Sequence, residues 1–176
     1  MNINQLSISY SEAQDRIMFS ITGAEQEQII LALTRRFLKA LWPMLVKGFI
    51  TKQTGTTNDG VTMGGDDAMA QKAMLDFRHQ QQISQGQYQQ PPIQGKSFPA
   101  GEAPLLVTGC KLTPGEPSHI EFNTVDGKNI GLKMNDALLH QFCYLLQQIE
   151  PKTGWGTQLG GLMSEPTPSI ENVVRH

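Results

Sequence analysis

Arg35 and Arg36 are the residues whose types and placing most invite chemistry. They follow Thr34, and the apolar positions behind them (Phe37, Leu38, Leu41, Met44, Leu45) recur at helical spacing. Both guanidinium groups therefore fall in the first turn of a predicted helix capped by Thr34. Two cations there oppose the helix dipole, at roughly 0.3–1 kcal/mol each on an exposed surface. The same placing offers free amides and two planar forks to phosphate, a carboxylate or a nucleic-acid backbone. Arg16 and Lys39 are the further cations that such an anion or nucleic-acid contact would recruit. The competing reading pairs the arginines with Glu25, Glu27, Asp66 or Asp67, and it is preferred, because a broken local rule often has a packing answer.

Established catalytic patterns are missing. There is no Cys-x-x-Cys, and His79, His119, His140 and His176 are scattered over separate elements rather than set at ligand spacing. No phosphate-cradling glycine loop follows a strand, and no Gly-x-Ser-x-Gly elbow occurs. No catalytic residue, metal ligand or cofactor is assigned, and the reading leans away from an enzyme. Cys143 reads as a buried thiol beside a surface imidazole, His140. Trp42, Tyr144 and Trp155 read as core or interface anchors rather than as a platform for stacking bases.

The elements that must position these residues come in two similar sets. Aligning Thr34 with Asn135 superimposes Ile29, Leu31 and Leu33 on Ile130, Leu132 and Met134. It also sets Phe37, Leu38, Leu41, Met44 and Leu45 on Leu138, Leu139, Phe142, Leu145 and Leu146. Each set reads as three alternating strands and then an amphipathic helix. In the first, Leu6–Tyr10, Ile17–Ile21 and Gln28–Leu33 lead into the helix, where Pro43 predicts a kink near residues 39–42. In the second, strands at 105–112, 120–124 and 130–134 precede a helix capped by Asn135 and stopped by Pro151. Asp126-Gly127 predicts a type I′ hairpin turn.

The fold expected is therefore α+β: two β-meander-plus-helix modules, 1–50 and 103–150, form one domain. They share an antiparallel sheet scaffold with the helices on one face in a pseudo-two-fold arrangement. Residues 51–102 are an insertion, with a helix predicted over 66–82 and eight Gln within 80–94. A Gly- and Pro-punctuated tail covers 151–176, where Trp155 and Leu159 are candidates for a partner contact.

Composition bounds the rest. The chain has 176 residues, a net charge of −2 and two cysteines, too few for a disulfide framework. With a pI near 6.1, wholesale attraction to nucleic acid or anionic membrane is not expected, and such binding would need a local basic patch. The longest apolar stretch, 40–50, is interrupted by Pro43, Lys47 and Gly48, so no membrane span is expected. The N-terminus carries no secretory pattern, and a cytoplasmic protein is the expectation.

The run Leu33-Thr-Arg-Arg-Phe-Leu-Lys-Ala-Leu-Trp-Pro, preceded by Ser9-Tyr10 and Gln14-Asp15-Arg16, resembles a family of bacterial proteins to which no activity is attached. The specific part of the resemblance covers about the first quarter of the chain, with a looser likeness at Leu105–Thr108 and the final helix. It implies a bacterial, cytoplasmic origin and transfers no functional residue.

Three function classes remain. The most economical is a non-catalytic interaction or assembly module whose Gln/Pro loop and tail meet a protein partner, in a chain expected to be a homodimer. The second is single-stranded nucleic-acid binding of whirly-like or Pur-like topology, in which Arg16, Arg35, Arg36, Lys39 and Lys133 would converge on one groove. The third is a small-anion binder or enzyme at the Arg35-Arg36 helix start.

Overall fold

The computed structural model describes residues 2–54 and 93–159. The helix predicted over 66–82, most of the Gln/Pro-rich loop and the tail beyond Leu159 lie outside the described residues. The strands are β1 (Ile3–Ser11), β2 (Arg16–Gly23), β3 (Gln28–Leu33), β4 (Leu105–Thr113), β5 (Ser118–Thr124) and β6 (Asn129–Met134). Helix α1 (Arg35–Thr54) follows β3, and helix α2 (Asp136–Thr153) follows β6.

All six strands join one sheet in the order of the sequence. Within each half the pairing is antiparallel, as short turns require. Between the halves, β3 and β4 run parallel, paired only at Leu31–Leu105 and Ala32–Leu106. The sheet is thus mixed where a purely antiparallel one was expected. The two strands are joined by a long connection, which a parallel pair requires.

Alternation puts Leu6, Ile17, Phe19, Ile21, Leu31, Leu33, Val107, Ile120, Phe122, Leu132 and Met134 in one core, where all are buried. In a flat sheet β2 and β5, three strands apart, would stand about 14 Å from each other. Yet the rings of Phe19 and Phe122 have centroids 6.4 Å apart. The sheet is therefore rolled strongly toward its inner face. Phe142 of α2 packs 4.5 Å from Phe19, and Phe37 of α1 packs 6.3 Å from Phe122. Each helix lies mainly on the first strand of the other half, α1 on β4 and α2 on β1. That reciprocal exchange is what a two-fold relation between the halves produces.

Local chemistry follows the sequence with three corrections. Thr34 Oγ1 accepts from the Phe37 amide at 3.1 Å, and Asn135 Oδ1 from the Leu138 amide at 2.9 Å, so both caps form. Pro151, however, does not stop α2, which runs on to Thr153 and is closed by Gly154 at φ 65°. A proline in the last turn forfeits one donor, and Thr153 Oγ1 binds the Glu150 carbonyl at 2.7 Å. The β5–β6 turn is not type I′ either. Gly127 has φ 80° while Asp126 does not enter the left-handed region, and the Thr124 hydroxyl organises a three-residue loop by bonding Asp126 and the Lys128 carbonyl. His140, finally, is buried at 5% exposure and stacks on Phe49 at 4.5 Å, joining the two helices instead of facing solvent.

Candidate functional site

α1 starts where β3 ends, so Thr34 and the first arginines stand at the point where β3 parts from β4. Beyond Leu106, β4 continues for seven residues, and among the described residues no strand lies on that side. Helix α1 runs alongside that stretch. Between them lies a cleft of about 660 Å³, lined by Thr34, Arg36, Phe37, Ala40 and Met44 from the helix side and by residues 106–110 of β4. The five β4 residues are consecutive. A strand viewed on its face shows alternate residues, so consecutive lining means the cleft runs along the strand's edge.

The cleft is closed at one end and narrowed at the other. At one, β3 still pairs with β4 at Ala32–Leu106. At the other, α1 presses on the strand at Gly48, where a methyl group would collide with Leu112 Cδ2. A bulge sits inside the lined stretch: Val107 faces Thr124 and Gly109 faces Asn123, leaving Thr108 out of register. The Thr108 hydroxyl binds the Asn123 carbonyl at 3.2 Å. Cys110 shares the lining, and its partial burial pushes the thiol up to about 11, so it stays protonated at neutral pH. Cys143 is fully buried and is pushed up further by desolvation. Neither is a nucleophile of the activated kind.

The sequence-predicted cations separate on inspection. Arg35, Arg36 and Lys39 are exposed, and Arg16 is half-buried at the start of β2. Ile17 pairs with Leu33, which brings Arg16 to the same end of the sheet as the α1 start. Arg36 turns toward the cleft, whereas Arg35 lies near Asp15 and favours its ionised form. The acidic side chain that feels Arg35 is thus Asp15, whereas Glu25 and Glu27 occupy the β2–β3 turn at the opposite end. Asp66 and Asp67 lie outside the described residues. Lys133 is on the edge strand β6, opposite His119.

A second cluster gathers around Asp15, in the turn between β1 and β2. Its backbone is left-handed, with φ 49°, a conformation Asp tolerates better than most residues. Asp15 Oδ1 accepts from the Tyr10 hydroxyl at 2.5 Å and from the Trp155 indole at 2.6 Å, and the two rings meet edge-on at 5.9 Å. Tyr10, then Trp155 and more weakly Arg35, hold the Asp15 carboxyl below the ordinary range, and the same contact raises the Tyr10 phenol.

Trp155 and Leu159, the residues considered for a partner contact, are 4% and 8% exposed and belong to the chain's own core. Glu150 Oε1 accepts from the Thr157 amide at 2.6 Å and Gln147 Nε2 donates to the Leu159 carbonyl at 3.1 Å, so residues 155–159 are fastened along α2. The tail seals one helix–strand seam. Trp42 is also buried, which leaves no exposed tryptophan among the described residues.

Among the described residues no group of three or more His, Cys, Asp or Glu is placed to hold a metal ion. No helix there is long and apolar enough to cross a membrane. Sequence reasoning singled out Arg35 and Arg36 by their clash with the helix dipole. It missed the β4 side of the cleft, since no local pattern reveals where β3 stops pairing. The chain matches no protein-family model, no curated protein and no solved structure.

Proposed function

We propose that this chain is a non-catalytic interaction module that seats a protein partner in the cleft between α1 and β4. One observation carries the reading: an apolar cleft of about 660 Å³ coincides with a strand edge that, among the described residues, has lost its neighbour. That volume lies in the range of specific ligand sites. Strand edges without a partner are the template for adding a further strand from another chain. Substituting Ala40, an exposed residue on the helical wall, by Trp fills the cleft without entering the core. A displayed peptide library should yield binders to the native chain that Ala40→Trp rejects while its melting temperature stays unchanged. A library whose members bind both proteins alike, or neither, sinks the reading.

Two companions have less support. Single-stranded nucleic acid would find Arg16, Arg35 and Arg36 at one end of the sheet, but both tryptophans are buried and offer no stacking surface. Anisotropy of a labelled oligonucleotide at two salt concentrations decides it, because phosphate-driven binding falls steeply with salt. A homodimer would draw on the outer edge of β6, where Asn129, Gly131 and Lys133 are exposed.

A further inference from the structure

We infer that the occupant of the cleft is the C-terminal end of an extended peptide, lying antiparallel to β4 with its terminal carboxylate at Arg36. The inference rests on the interaction-module reading and specifies its partner. Three features of the site select this occupant.

The first is the strand edge. From Val107 to Cys110 the main chain of β4 has no strand partner on the α1 side among the described residues. An apolar ligand such as a lipid tail would cover those amides and carbonyls without bonding them, a cost of the order of 1–3 kcal/mol for each group left unpaired. A peptide main chain answers them in kind. The lined stretch of five residues is about 17 Å long, so it matches about five residues of an added strand.

The second is the blocked lane. An added strand occupies the same track beside β4 that β3 fills up to Ala32–Leu106. A chain entering from the Cys110 side therefore cannot continue past Leu106. It must end there, which favours a terminus over an internal segment.

The third is charge. Arg36 stands at that closed end, and α1 has no acidic residue in its first turn. An ammonium terminus would be repelled there, whereas a carboxylate gains a charge-assisted, fork-shaped contact. With the C-terminus at Leu106 and the preceding residues toward Cys110, the peptide runs against the direction of β4. The half-buried Leu106 and Met44 then give the peptide side chains an apolar floor. Capture of this kind combines strand addition with recognition of a chain end.

The test uses the full chain and a library of pentapeptides immobilised through their N-termini, each prepared with a free C-terminal carboxylate and as the C-terminal amide. Free-acid peptides with an apolar last residue should bind, and amidation should weaken them roughly tenfold or more. Arg36→Gln should weaken the acids by a similar factor and leave the amides unchanged. Bound acid peptide should also slow maleimide labelling of Cys110 at alkaline pH, with buried Cys143 as the internal control.

Equal binding of acids and amides, with both lost in Ala40→Trp, would overturn the chain-end inference and leave the interaction module standing. If no peptide of either form is lost in Ala40→Trp, both fail together. Displacement of bound acid peptide by decanoate at equal concentration would make the site a fatty-acid pocket and also overturn it.

Discussion

The two helix–strand seams of this molecule are built alike and finished differently. α2 on β1 starts by the rules: Asn135 caps it, Asp136 lies in the first turn, Lys152 in the last, and Gly154 closes it. Its far end is sealed by Trp155, held by Asp15 and Tyr10. α1 on β4 has a comparable cap in Thr34 but no acidic residue in its first turn, and it leaves a cleft with an arginine at its closed end. Even the strand irregularity is shared, since β1 shifts register between Ile3 and Gln5 as β4 does between Val107 and Gly109. One seam is packed for stability and the other is left open. When two copies of one plan diverge like this, the copy that breaks the local rules is where binding is to be sought.

The largest effect should come from unsealing the closed seam. Trp155→Ala removes a nearly fully buried indole and should cost about 3–5 kcal/mol, read by urea unfolding followed with circular dichroism. A loss below about 1 kcal/mol would mean that the tail decorates the seam without closing it.

The pH response should sharpen the same contrast. Asp15 has its folded-state pKa lowered, so its contribution is fully present above the unfolded value of about 3.9 and is lost as pH falls through the lower, folded value. The Trp155 indole proton, followed by NMR, should therefore exchange faster in acid below about pH 4. Asp15→Asn should exchange faster already at neutral pH and lose that acid dependence. Identical pH profiles for the two proteins would break the assignment of Asp15 as the group that holds the tail.

The smallest effect concerns the helix starts themselves. Arg36→Glu should raise stability by roughly 0.3–1 kcal/mol, and Asp136→Arg should lower it by a similar amount, both by thermal melts at low salt. A loss of stability in Arg36→Glu would show that Arg36 is a structural residue, and the asymmetry between the seams would vanish.

How much of this was legible in the residues varies with the distance over which each feature is decided. The alternation of Ile17, Phe19 and Ile21, the stripe Leu138, Leu139, Phe142, Leu145, Leu146, and the caps Thr34 and Asn135 are all local, and each strand and helix among the described residues was read from them. Arg36 was legible as an anomaly. Its location beside an open strand was not, because that depends on β3 pairing with β4 at two positions and then leaving. The binding of Trp155 to Asp15 was equally hidden, since it joins residues 140 apart in the chain.

By itself, then, the sequence determined the kind and order of the elements and which side of each is apolar, because periods of two and 3.6 residues are written into neighbouring positions. Only the tertiary structure decided how far the sheet rolls, that the halves meet through parallel strands, and that each helix lies on the other half's first strand. Those outcomes follow from filling one interior, where Phe19, Phe37, Phe122 and Phe142 must meet at contact distance, and packing of that kind is a property of the whole chain.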